Sequence, residues 1–226
     1  MAVDLAAIMP LPPTLADNAF APLAGVASVA RVARTMRGAA VVAVTELLAD
    51  AVREILAAQL LSAVGVAAVE YPGSRAQCVA AALRYLGDAP RYVLIHDIRR
   101  PLAPAALCDR VIATLQAGDP VVMPVLAVTD SVKAVDGRGS VTGTLDRSTL
   151  RAVQYPRGFT VDQLSQLLAW RTSDDFDELD ESLRTGTPIT LVDGDSDAFA
   201  VELPRDTAFV EAIIACRHMD PHPADG

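Results

Sequence analysis

Lysine is nearly missing from this chain: of 19 basic residues only Lys133 is a lysine, and every other fixed cation is an arginine. Glycine does not occur before Gly25. Aromatic residues are scarce, 4% against 52% apolar in total. A core of Ala, Val and Leu favours helices packed on a sheet over a β-sandwich. The three cysteines, Cys78, Cys108 and Cys216, are odd in number, widely spaced and without a Cys-x-x-Cys pair. That argues against a disulfide framework or a structural zinc site and for a reduced, cytoplasmic setting. No run approaches the roughly 18 continuous apolar residues of a membrane span. The opening "MAVDLAAIMPLPP" lacks the basic flank and long apolar centre of a signal peptide. An excess of cations is missing too. The formal charge is −9, so no long-range field draws in nucleic acid or an anionic membrane, and neither partner is expected.

What is present is alternation. Apolar runs at residues 3–9, 39–44, 64–70, 92–96 and 120–125 read as buried strands. Between them lie helical stripes. Leu47, Leu48, Val52, Ile55 and Leu56 share one face, and Leu107, Val111, Ile112 and Leu115 form another, closed by Gly118. Ser74 followed by Gln77 spells a capping box for a helix that Gly87 ends. Strands separated by amphipathic helices predict an α/β fold, a mostly parallel twisted sheet with helices on both faces. Past Val125 the pattern becomes a hairpin around Asp136-Gly137-Arg138-Gly139, so residues 126–147 read as a projecting β-arm, a common dimerisation device. A helix at 161–170, an acidic helix near 175–183, a strand in "PITLVDG" and a last helix near 204–217 complete a single domain over 1–226. Residues 218–226 read as a disordered tail.

The stretch "RYVLIHDIRRPLAP" raises the functional question. An apolar run ends at His96-Asp97, and ligands of open parallel sheets bind where strand carboxyl ends surface. A carboxylate there can hold Mg²⁺ beside phosphate oxygens, and Arg99 and Arg100 offer fixed phosphate donors. Equally, Asp97 can cap the next turn while the arginines face solvent. On this stretch alone both readings stand.

Taken in order, several blocks resemble 2-C-methyl-D-erythritol 4-phosphate cytidylyltransferases. "VLIHDIRRPL" resembles that family's His-Asp-Ala-Ala-Arg-Pro signature, and "PGSRAQCVAAAL" its Gly-x-x-Arg-x-x-Ser-Val segment. "VTDSVKAV", "TLDRSTLRAVQYPRGFTVDQL", "FDELDESLRTGTPITLVDG" and "DSDAFAVELPRD" are similar to the blocks that follow. The resemblance implies a Rossmann-like nucleotidyltransferase fold and a homodimer that exchanges β-arms. It further implies CTP and a sugar-alcohol phosphate meeting on Mg²⁺, with pyrophosphate released. By the same resemblance Asp97 and Asp197 are metal ligands, Arg75 and Asp97 lie on the nucleotide side, and Arg100, Ser131, Arg147 and Tyr155 face the second substrate. Tyr155 stands where the family has threonine, and Cys78 where it has serine.

The chain also departs from that pattern. The family clamps the triphosphate with a glycine-rich loop and two lysines. Here the loop reads "MPLPPTLADNAFAPL", with Pro10, Pro12 and Pro13 removing backbone donors. The lysine positions align near Asn18 and with Ala200. The expectation is therefore a non-catalytic or repurposed homologue that binds a small phosphorylated metabolite. The alternative is an active nucleotidyltransferase in which Arg31, Arg34 or Arg75 replaces the lysines. The acids of "DDFDELDE" read as a solvated first helical turn, Cys78 as a small buried residue, and His96 as a packing residue beneath the site.

Overall fold

Side-chain alternation along the first strand sets two layers. In β1 (Leu5–Leu11) Ala6 and Ile8 face one apolar cluster, while Ala7, Met9 and Leu11 face the other. The computed structural model describes residues 4–219; Val3, the first residue of the expected opening strand, lies outside them. β1 runs on through Pro10, which pairs in parallel register with Ala43.

After β1 come a 3₁₀ turn (Pro13–Leu15), α1 (Ala16–Phe20), the short pair β2 (Pro22–Leu23) and β3 (Val26–Ala27), and α2 (Ser28–Thr35). The alternation continues through β4 (Ala39–Thr45), α3 (Glu46–Ala58), β5 (Gly65–Val69), α4 (Arg75–Leu86), β6 (Tyr92–Ile95), α5 (Ala105–Ala117) and β7 (Val121–Ala127). The expected hairpin is β8 (Lys133–Val135) with β9 (Val141–Thr144). Asp136 Oδ1 accepts from the backbone N–H of Arg138 and Ser140 across its turn, each at 2.9 Å. β10 (Arg151–Val153), β11 (Arg157–Thr160), α6 (Val161–Trp170), α7 (Glu178–Arg184), β12 (Thr190–Asp193) and α8 (Thr207–Met219) follow.

The main sheet has the order β10-β7-β11-β6-β1-β4-β5, with β12 parallel to β7. It is mostly parallel. The exceptions are β10 and β11, of which β11 wedges antiparallel between β6 and β7. Its Gly158 sits where a side chain cannot: a Cβ there would lie 2.4 Å from Val111 Cγ1 of α5. Helices α2, α3 and α5 cover one face, and α4 and α6 the other.

Three local expectations are corrected. Leu47 is 90% exposed, because α3 turns Ala49, Val52 and Leu56 to the sheet instead. The acidic helix begins at Glu178, not near residue 175, and Glu178 and Glu181 are buried. α8 runs through Met219, so the first two residues of the expected tail are helical; the rest of that tail lies outside the described residues. The capping box holds, with Gln77 N–H donating to Ser74 Oγ at 3.2 Å and Ser74 N–H to Gln77 Oε1 at 2.8 Å.

Candidate functional site

At the carboxyl ends of β1, β5 and β6 lies an open cavity of about 590 Å³. Pro12, Pro13 and Thr14 line one side, Tyr71 to Arg75 another, Arg99 and Tyr155 the floor, and Asp174 to Asp177 the rim. The proline-rich segment forms a wall of this cavity, and Pro10 is buried within β1. The capping box aims the start of α4 at the cavity, which brings Arg75 into it.

The cations in the cavity, and Arg157 next to it, are already engaged. Arg75 Nη2 donates to Glu178 Oε1 at 2.7 Å, and Arg157 Nη1 donates to Glu178 Oε2 at 2.9 Å and to Asp177 Oδ1 at 2.9 Å. Glu178 is fully buried between the two guanidiniums. Tyr155 packs among Arg157, Arg100 and Arg75, with guanidinium carbons 4.2, 5.7 and 5.8 Å from its ring centre. Burial, reinforced by Glu178, pushes its phenol well above the ordinary range, so Tyr155 stays neutral.

Asp97 is held in the same way. Arg99 approaches it side-on, with Nη2 at 2.6 Å and Nε at 3.1–3.2 Å, and the Arg99 backbone N–H adds a bond of 2.9 Å. Burial works against the Asp97 charge, but those bonds outweigh it and the carboxyl lies below its usual range. Burial likewise opposes the charge of Arg75, and Glu178 more than compensates, so its pKa is raised.

The remaining expected site residues are dispersed. Arg100 donates to the carbonyls of Ala198 and Val153, so it holds the 3₁₀ turn Ser196–Ala198 against the sheet. Asp197, on that turn, pairs with Arg217 at 2.7 Å. With Asp97 closed by Arg99 and Asp197 by Arg217, the two carboxylates as arranged do not fit a Mg²⁺ site. Among the described residues no cluster of three or more His, Cys, Asp or Glu could hold a metal. Ser131 and Arg147 are exposed on the arm, where Arg147 donates to the Thr129 carbonyl, and neither lines the cavity.

Of the arginines considered as lysine replacements, Arg31 donates to the Leu23 carbonyl and Arg34 to Gln59, and both lie outside this cavity. Only Arg75 lines it. Cys78 is buried, its thiol pushed up by burial to about 11. His96 is also buried, and burial lowers its pKa to about 4. The residues that complete the network, Asp177 and Glu178, carried two signals, an acidic run and a place in the block "FDELDESLRTGTPITLVDG" that resembles the family, but neither marked them as partners of arginines. Arg157 lies two residues past Tyr155 in the block "TLDRSTLRAVQYPRGFTVDQL" that resembles the family.

Comparison with known proteins decides the family. The family described as IspD: 2-C-methyl-D-erythritol 4-phosphate cytidylyltransferase is matched over residues 16–216. The chain belongs to that family. Relatives named 2-C-methyl-D-erythritol 4-phosphate cytidylyltransferase include one from Frankia casuarinae, 38% identical over 77% of this chain and 64% of its own length. The chain thus spans a little under two thirds of that relative. One from Rhodococcus jostii is 37% identical over 77% of this chain and 74% of its own. Among solved structures, the 4-diphosphocytidyl-2C-methyl-D-erythritol synthase of Anaerococcus prevotii superposes with a TM-score of 0.77 at 17% identity, covering 93% and 98% of the two chains. At that identity the likeness speaks for the fold. No helix among the described residues is long and apolar enough to cross a membrane.

Proposed function

We propose that this member keeps the cytidylyltransferase fold but not the transfer reaction, and that its cavity takes a small phosphorylated metabolite rather than CTP. One observation carries the reading: the two guanidiniums that line the cavity, Arg75 and Arg99, are each already paired with a carboxylate, Glu178 and Asp97. A triphosphate needs several free, preorganised donors, and the proline-rich wall supplies few backbone N–H groups. Two further acids, Asp174 and Asp175, line the cavity as well and would repel it. A monophosphate asks for less. Arg99 is half-exposed, and the hydroxyls of Thr14 and Ser74 line the same space. Three thiols free of disulfides accord with a cytoplasmic setting.

A second reading, an active cytidylyltransferase, is favoured by the identity to the Frankia and Rhodococcus enzymes and by the place of Arg75 in the cavity. Calorimetry with CTP and Mg²⁺, followed by pyrophosphate release with 2-C-methyl-D-erythritol 4-phosphate, separates the two. Each missing donor to a developing charge is worth about 10²–10³ in rate. Release should therefore fall several decades below that of an intact relative assayed alongside, with no CTP binding at about 1 mM. Turnover within about tenfold of the relative would establish the second reading.

The arm completes the proposal as a homodimer contact. Val135, Val141 and Leu145 are 60%, 65% and 46% exposed, an apolar edge that a second copy would cover. Sedimentation velocity should give a dimer that Val141→Glu shifts toward monomer; a wild-type chain monomeric at about 50 µM would remove the arm's role.

A further inference from the structure

A second cavity, of about 350 Å³, opens between α2, the 101–104 turn and α8. Its charged lining differs in kind from that of the first. Arg31, Arg34 and Arg217 all line it, and no carboxylate does among the described residues. In a chain of net charge −9, three guanidiniums share this concavity, and of them only Arg217 is paired with an acid among the described residues, Asp197 at 2.7 Å. Like charges in one concavity repel. Burial, and then the neighbouring charge of Arg34, lower the Arg31 pKa more than the Glu211 carboxylate nearby raises it, so the cavity holds its positive charge at a cost.

The partners these arginines do have leave donors available. Arg31 gives Nε and Nη2 to the single Leu23 carbonyl, which fixes the side chain and leaves Nη1 free among the described residues. Arg34 is exposed and gives only Nη2 to Gln59. Arg217 meets Asp197 through Nη2. The opposite wall is apolar, with Leu102, Pro104 and Ile214, of which Leu102 and Ile214 belong to the small core under α8.

We propose that this second cavity binds a phosphate monoester with a short apolar body, its phosphate held by Arg31, Arg34 and Arg217 and its body laid against Leu102, Pro104 and Ile214. A dianion answers three guanidiniums better than a carboxylate does, and the planar fork of arginine matches phosphate oxygens. The volume sits near the lower end of small-ligand sites. Among the described residues no aromatic side chain lines the cavity for a base to stack on, which disfavours a nucleotide. Its concavity and the chain's net charge of −9 favour a free metabolite over an anionic lipid surface.

The test is isothermal titration calorimetry of the full chain with n-butyl phosphate, inorganic phosphate and butyrate. Butyl phosphate should bind with a dissociation constant below about 1 mM, more weakly as salt rises, and butyrate at least about tenfold more weakly. Arg34→Glu, at an exposed position that leaves folding intact, should weaken butyl phosphate by at least about tenfold. Arg217→Glu should do the same. Binding that survives both substitutions belongs to the first cavity and overturns the proposal without touching the reading of that cavity. Equal binding of butyrate overturns the phosphate assignment. Co-sedimentation with phosphatidic acid vesicles, abolished by Arg34→Glu, would assign the site to a lipid instead.

Discussion

Glu178→Ala should lower the stability of this protein by about 3–5 kcal/mol, the usual cost of stripping a buried ion pair of one partner. Glu178 is fully buried and receives Arg75 and Arg157 at 2.7 and 2.9 Å. The two guanidiniums do not suffer equally when it goes. Arg157 keeps Asp177, whereas Arg75 has no other carboxylate within bonding distance among the described residues. The loss therefore falls mainly on Arg75. For a chain of this size it should appear as a fall in Tm of roughly 6–20 °C. Arg75→Met in the Glu178→Ala background should recover at least half of it, because an uncharged side chain needs no partner there. Urea titration measures both variants. A loss below about 1 kcal/mol would mean the network is solvated, and with it the argument that the cavity's arginines are spoken for.

His96 gives the second large effect. Its backbone N–H donates to the Ile8 carbonyl at 2.8 Å, which locks the residue under the sheet end, and its Nε2 is buried without a partner among the described residues. Burial lowers its pKa from 6.5 to about 4. Since the folded value lies below the unfolded one, the unfolded chain takes up the proton more readily. The contribution to stability is thus whole above pH 6.5, declines as pH falls, and is gone by about pH 4. Over that window it amounts to roughly 3 kcal/mol, of which about 2 is already lost at pH 5. Asp97 and Asp177 also have lowered values, but their contributions begin to fail only near and below the ordinary carboxyl value of 3.8. The urea midpoint should drop steeply between pH 6.5 and 4.5, and His96→Leu should flatten that slope whatever it does to stability at pH 7. An unchanged slope in the variant would place the titrating group elsewhere.

Both effects arise where local sequence said least. Period-two and period-3.6 patterns need only near neighbours to be read. Hence the strands at 39–45 and 92–95, the capped helix from Arg75 and the hairpin around Asp136 were legible residue by residue. So was the family, because ordered blocks spread along the chain are a property of the sequence itself. Partner choice was not legible. "DDFDELDE" looks like a solvated helical start, and nothing local marks Glu178 as the acid that would meet an arginine 103 positions away. Leu47 and Ala49 illustrate the same limit on a smaller scale. Hydrophobicity nominated Leu47, but the rotation of α3 against the sheet buried Ala49.

By itself, then, the amino-acid order determined the α/β alternation, the arm, the caps and the unusual proline-rich, lysine-poor stretch after the first strand. Only the tertiary structure decided which charges cancel. Coulomb interactions depend on distance and burial, and those exist only once β11, α4 and α7 have been brought together. Assembly paired Arg75 and Arg99 of the first cavity with acids, whereas in the second it gave an acid only to Arg217 and left Arg31 and Arg34 without one among the described residues.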